Sequence, residues 1–227
     1  MINLTGIRVG VFGLGITGRA VVSYLLKHDA EPVCVDELSK PEKRAELEAF
    51  AANNGVAAHL GTIPPDLLTS CGLVVVSPGV PLAHPLLASA QAAGVECISE
   101  IELAYRQSPA RLVTITGSNG KSTTTALLDH ILKVYRRSYA VGNIGKAFIG
   151  IVDELKPDDV VCCEVSSYQL EASPLLHPQI AIFTNITPDH LERHQTFANY
   201  ASMKRSVVKN MVAGDSVIYN AEDENLQ

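Results

Sequence analysis

Leu112-Val113-Thr114-Ile115-Thr116-Gly117-Ser118-Asn119-Gly120-Lys121-Ser122-Thr123 decides the reading of this chain. An apolar, β-branched run enters a glycine-rich turn and leaves it on a lysine and two hydroxyls. The run predicts a buried strand over Leu112 to Thr116. A helix is expected over Lys121 to Val134, with Leu127, Leu128, Ile131 and Leu132 on one face. Strand, glycine loop and helix in that order place backbone N–H groups and a helix N-terminus against an anion. The pattern departs from G-x-x-x-x-G-K-[ST], because Ile115 stands where the first glycine would be. The physical parts remain: loop amides for phosphates, Lys121 for the β/γ oxygens, Ser122 for Mg²⁺. A chance turn is the competing reading, and the flanking strand and helix weigh against it.

Upstream lies a second glycine loop, Gly13-Leu14-Gly15-Ile16-Thr17-Gly18, between a strand over Ile7 to Phe12 and a helix over Thr17 to Lys27. Asp36 closes the next strand, near the spacing of an acidic ribose partner. By itself this loop fits NAD, another nucleotide or sugar nucleotide, or a turn that only packs helix on strand. Further strands are expected at Pro32 to Val35, Leu73 to Val76, Val160 to Val165, Ile180 to Phe183 and Ser216 to Tyr219. Helices are expected at Pro41 to Asn53 (apolar side Ala45, Leu47, Ala49, Phe50), His84 to Ala93, Ile101 to Gln107 and Phe197 to Met211. Alternating strands and helices mean parallel sheets with crossover helices. The fold class is therefore α/β: a Rossmann-like unit over 1–98, then a P-loop-type unit over 99–227, with the seam near Glu96 to Glu100. The second unit is short for a doubly wound domain, so a truncated chain is expected.

Composition narrows the classes. Hydrophobic residues are 47% and charged residues 19%, enough apolar matter for a core. The net charge is −6 with no basic arm, which argues against nucleic acid as the main partner. The five cysteines include no C-x-x-C pair, so reduced thiols are expected rather than disulfides or zinc. Met1 to Gly6 lacks a basic start and a long apolar run, and strand-sized apolar stretches cannot span a membrane. A cytoplasmic protein is the resulting expectation.

Two more features fall at strand ends. Glu164 closes Val160-Val161-Cys162-Cys163, where a carboxylate can reach the Mg²⁺ of bound ATP; a plain surface glutamate is the bland alternative. Asn185-Ile186-Thr187-Pro188-Asp189-His190 follows Ile180 to Phe183 and puts His190 at the carboxyl edge of the sheet, where open α/β sheets bind ligands.

Together, Thr116 to Thr123, Asn143-Ile144-Gly145, Glu164 to Leu170, Asn185 to His190 and Lys204 resemble the Mur ligases, the ATP-dependent amino-acid ligases of peptidoglycan precursor synthesis. Gly13 to Gly18, Ser77-Pro78-Gly79-Val80 and Glu164 to Glu171 are most similar to the branch that adds D-glutamate to UDP-N-acetylmuramoyl-L-alanine. The resemblance implies that the first unit holds the UDP part of the substrate rather than NAD. Gly15, Ile16 and Thr17 then lie at the diphosphate, Asp36 near uridine, and Ser77, Asn143, Ser166 and His190 on the substrate side. Gly117, Ser118, Asn119, Gly120, Lys121, Ser122 and Thr123 bind ATP. Ser122, Glu164, His190 and Lys204 are implied metal ligands for two Mg²⁺ ions, Lys204 as a carbamate; Lys121, His190 and Lys204 are the implied catalytic set. A monomer is expected, without the C-terminal domain that takes the amino acid in this family. The alternatives are a non-catalytic module binding the UDP-sugar, or a different Mur ligase. Arg136 to Val141 departs from the glycine pair that usually precedes the asparagine, and Glu37-Leu38 replace an arginine that some relatives carry after the aspartate.

Overall fold

In the computed structural model, which describes residues 2–38 and 41–226, both strand series become five-stranded, all-parallel sheets. Met1, which opens the N-terminal stretch Met1 to Gly6, and Gln227 lie outside the described residues. The chain divides into two compact units, Met1–Leu103 and Ala104–Gln227.

The first unit runs β1 (Arg8–Phe12), α1 (Ile16–Lys27), β2 (Glu31–Asp36), α2 (Arg44–Asn54), β3 (Ala57–Leu60), β4 (Leu73–Val76), α3 (Pro85–Ala92) and β5 (Glu96–Ser99). The sheet order is β3-β2-β1-β4-β5. The order reverses beside β1, so the crevice for a ligand opens at its carboxyl end, where Gly13 to Gly18 lies. The strands read as continuous apolar runs because helices cover both faces: all four residues of β4 are buried. Phe12, Val33, Val35, Leu68, Val74, Val76 and Leu87 form one core. The expected apolar side of α2 is corrected: Leu47 and Ala51 are buried, whereas Ala45 and Ala49 face solvent. A helix with only two buried positions gives periodicity too weak to choose among its alanines.

Helix α4 (Glu100–Gln107) spans the division. The second unit continues with β6 (Arg111–Thr116), α5 (Lys121–Leu132), β7 (Ser138–Gly142), β8 (Val160–Glu164), α6 (Ser167–Glu171), β9 (Ile180–Phe183), α7 (Leu191–His194), α8 (Phe197–Arg205) and β10 (Ser216–Tyr219). Its order, β10-β9-β6-β8-β7, reverses beside β6, and the register sets Ile115 against Glu164 and Thr116 against Phe183. Three strand ends thus bring the phosphate loop, Glu164 and the Asn185 segment to one edge.

The four-residue apolar face expected on α5 is also corrected. Leu128 and Leu132 pack on Val113, Ile115, Val160 and Cys162, but Leu127 is 57% and Ile131 48% exposed. Thr125 and Asp129 are buried in their place. Asp129 accepts hydrogen bonds from Ser138 Oγ (2.7 Å) and Lys133 Nζ (2.6 Å), so the start of β7 selects a polar residue on this face. The helix expected over Phe197 to Met211 ends as α8 at Arg205 and becomes a 3₁₀ turn over Ser206–Val208.

All five cysteines are free, and burial pushes the Cys34 thiol up to about 11 and that of Cys162 to about 12. Among the described residues no helix is long and apolar enough to cross a membrane.

Candidate functional site

The phosphate loop is held by the segment after β9. Ser118 N donates to Asn185 O (2.9 Å) and Asn119 N to Asn185 Oδ1 (3.0 Å). The Ser118 hydroxyl donates to Thr187 O (2.8 Å), accepts from Thr187 N (2.9 Å) and bonds the Tyr200 hydroxyl (2.9 Å). Both residues were expected at the ATP, yet these donors are engaged inside the protein. Among the described residues no side chain caps α5, which begins after Gly120 at φ 82°, so its first-turn N–H groups are left for an anion. Gly117 sits at φ 142°, where a Cβ would stand 2.0 Å from Thr184 Oγ1. Lys121 folds back over the loop, its Nζ donating to Ser118 O at 2.9 Å.

Ser122, Glu164 and Asn143 converge. Glu164, 1% exposed, accepts from Ser122 Oγ at 2.7 Å and from Asn143 Nδ2 at 3.0 Å. A hydroxyl and a carboxylate in contact, beside an uncapped helix end, suit Mg²⁺, which takes few protein ligands and completes its shell with phosphate and water. Among the described residues no three His, Cys, Asp or Glu side chains gather as a metal cage.

Lys204 is 2% exposed, and its Nζ donates to Gly117 O at 2.7 Å. Burial, and then the Lys121 ammonium, lower its pKa to about 8, against the opposing pull of Asp189 and Glu164. Its Nζ lies 4.8 Å over the Tyr200 ring, and the His190 ring lies 6.2 Å from the same ring on a left-handed residue (φ 52°). His190 also contacts Tyr168 at 4.9 Å and lies near Asp189 and Glu192, at 3.5 and 3.6 Å. Ser166, expected on the substrate side, N-caps α6: its Oγ accepts from Gln169 N at 3.3 Å and donates to Gln169 Oε1 at 3.0 Å.

The sequence reading missed Tyr168, His194 and Tyr200, which form the aromatic floor under His190 and Lys204. His194 is buried, bonds Ser167 Oγ at 2.9 Å, and has its pKa lowered chiefly by that burial. The available signal was Tyr200, one helical turn before Lys204 on the same face of α8.

In the first unit, Gly18 is required by close approach: a Cβ there would meet Gly13 O at 1.9 Å. Ser77 Oγ donates to Gly13 O (2.8 Å), and Asp36 accepts from Leu14 N and Leu38 N, both at 2.8 Å. Asp36 and Ser77 therefore shape the loop. Gly15 caps α1 without a side-chain bond, and Ile16 is 83% exposed at its N-terminus, beside half-buried Thr17. A cavity of about 250 Å³ lies there, lined by Gly15, Ile16, Arg19, Asp36, Lys43 and Glu46 among others. Arg19, not foreseen, donates to Leu14 O (3.1 Å) and Glu46 Oε1 (2.7 Å).

Two parallel α/β units, each with a glycine loop and an uncapped helix at its switch point, define a class: proteins built to bind phosphate-bearing ligands. Comparison with known proteins makes the class specific. Residues 115–227 match the Mur ligase middle domain, and residues 7–99 the MurD-like N-terminal domain of Mur ligases. The chain belongs to the Mur ligase family, whose members are ATP-dependent amide-forming ligases. It is 42% identical to a UDP-N-acetylmuramoylalanine--D-glutamate ligase of Alkaliphilus oremlandii, over 99% of this chain and 50% of that protein. Identity to the like-named ligase of Pelotomaculum thermopropionicum is 40%, over 97% and 49%. The chain spans about half the length of the curated relatives it matches. The fold is shared with UDP-N-acetylmuramate:L-alanyl-gamma-D-glutamyl-meso-diaminopimelate ligase from Neisseria meningitides (15% identity, TM-score 0.59, 98% of this chain and 74% of that one). It is shared too with UDP-N-acetylmuramate-alanine ligase MurC from Thermotoga maritima (22% identity, TM-score 0.55, 96% and 50%).

Proposed function

We propose that this chain carries the UDP-substrate and ATP sites of a ligase that adds D-glutamate to UDP-N-acetylmuramoyl-L-alanine in the cytoplasm. The observation that carries this reading is the edge where the uncapped start of α5, the Ser122–Glu164 pair and buried Lys204 meet. The curated relatives that match nearly the whole chain bear the name of that reaction.

A carboxylate oxygen of the substrate attacks the γ-phosphorus of ATP, and ADP leaves. The D-glutamate nitrogen then attacks the acyl carbon, phosphate departs, and the amine loses a proton as the amide forms. The first-turn N–H groups of α5 and Lys121 hold the phosphates, and Lys121 moves from Ser118 O onto their oxygens. Ser122 and Glu164 would hold one Mg²⁺; carbamylated Lys204 and His190 would hold a second. Mg²⁺, when bound, spreads the charge of the transferring phosphoryl group. In the first unit the amides of Gly15 to Thr17 receive the diphosphate, and Asp36 and Ser77 hold that loop in shape. Asn143 supports Glu164 and would face the substrate.

Calorimetric titration with UDP-N-acetylmuramoyl-L-alanine and with NAD tests the reading. Binding of the UDP-sugar and not of NAD is expected. Tight NAD binding without UDP-sugar binding would overturn it.

A further inference from the structure

We propose that Asn185, with Thr184, is a positioning residue for ATP: it locks the Asn119–Gly120 peptide so that its N–H faces the phosphate site. The proposal rests on the reading of this loop as the ATP site.

Asn185 pairs with Asn119 as a neighbouring strand would. Its Oδ1 accepts from Asn119 N at 3.0 Å and its Nδ2 donates to Asn119 O at 3.0 Å. Thr184 Oγ1 donates to the same carbonyl at 2.7 Å. The two preceding carbonyls are held as well, Gly117 O by Lys204 Nζ and Ser118 O by Lys121 Nζ. Three successive oxygens are thus turned onto donors of the protein.

Electrostatics gives this arrangement its purpose. A phosphate is attracted by N–H groups and repelled by carbonyl oxygens. In a trans peptide the C=O and N–H point in opposite directions. Asn119 O directed at Thr184 and Asn185 therefore sends Gly120 N–H the other way, toward the open start of α5. This peptide is the weak point of the loop, because Gly120 sits at φ 82° with nothing within 4 Å of a Cβ position. Glycine occupies either sign of φ readily, so the peptide can flip at little cost. A flip would put a carbonyl oxygen where the phosphate must lie. Lys121 cannot prevent it, since its reach is to Ser118 O and the proposed mechanism withdraws it when phosphate binds. The Asn185 amide and Thr184 hydroxyl are neutral, stay in place, and grip Asn119 directly.

Three variants test this: Asn185→Asp, of equal size, which keeps an acceptor for Asn119 N but sets an oxygen against Asn119 O; Asn185→Ala; and Thr184→Val. The first readout is the ¹⁵N–¹H signal of Gly120 in the ligand-free chain, which needs no ATP. A shifted or exchange-broadened Gly120 signal is expected in the Asn185 variants, with a sharp single signal in the parent. The second is calorimetric titration with MgATP, weakened about tenfold by loss of these bonds. Affinity for UDP alone, assigned to the Gly13 to Gly18 loop of the other unit, should stay within twofold. If the parent shows no MgATP binding, the ATP reading fails, while the Gly120 signal still decides the clamp. An unchanged Gly120 signal with MgATP affinity within twofold of the parent, in whichever variants fold, overturns the proposal.

Discussion

Replacing Lys204 by methionine should change how stability depends on pH. Lys204 Nζ is buried, donates to Gly117 O, and has its pKa lowered from 10.5 to about 8, first by burial and second by Lys121. At about 1.36 kcal/mol per tenfold in proton affinity, holding this amine protonated in the folded chain costs roughly 3 kcal/mol. The unfolded chain binds the proton more tightly between pH 8 and 10.5, so the native protein gains stability as pH rises through that window. Below about pH 8 the penalty is fully present. Methionine fills most of the volume and removes the charge, but leaves Gly117 O without its donor, a loss of about 1 kcal/mol. The variant should therefore be more stable than the parent by about 2 kcal/mol at pH 7, and toward pH 10.5 the sign should reverse to a slight disadvantage, because the neutral amine of the parent still donates to Gly117 O. Urea unfolding in CO₂-free buffer with a chelator, from pH 7 to 10.5, measures the difference. A constant difference across that range would show that the lysine does not carry the burial penalty assigned to it.

In ¹³C-bicarbonate the parent should give a carbamate resonance that Lys204→Met lacks, because a pKa of about 8 leaves roughly a tenth of the amine neutral at pH 7; identical spectra would remove the carbamate from the mechanism. Gly117→Ala should destabilise the chain by about 3 kcal/mol or more, since its Cβ would lie 2.0 Å from Thr184 Oγ1 and 2.9 Å from Asn185 O, and a thermal melt within a degree of the parent would contradict that geometry. Glu164→Gln should keep the fold, through its contacts with Ser122 and Asn143, yet weaken the Mg²⁺ dependence of ATP binding at least about tenfold by calorimetry, because the amide removes the only charge on that pair. An unchanged Mg²⁺ dependence would place the metal elsewhere.

What was legible in the sequence is what short-range constraints write into it. Gly117, Gly120 and Lys121 stand together because a loop must turn sharply between β6 and α5, Gly18 because α1 packs closely on Gly13 O, and Gly13 because it takes a positive φ against Ser77. Buried parallel strands such as Leu73–Val76 are apolar throughout and stand out by composition. Strand β7 does not, because Arg136-Arg137-Ser138 leads into an edge strand whose first residue is chosen by Asp129 of the preceding helix. The partners of the phosphate loop were hidden for a related reason. Tyr200 meets Ser118 across 82 positions, Lys204 meets Gly117 across 87, and Asn185 meets Asn119 across 66. Residue types reveal which groups could touch a phosphate, but not which of them the fold has already engaged. Ser118 is the instructive case: its place in the motif suggested a ligand contact, whereas its hydroxyl ties the loop to Thr187 and Tyr200. The loop's chemistry thus follows from which polar groups are withdrawn into the protein, leaving the first turn of α5 as the part turned outward.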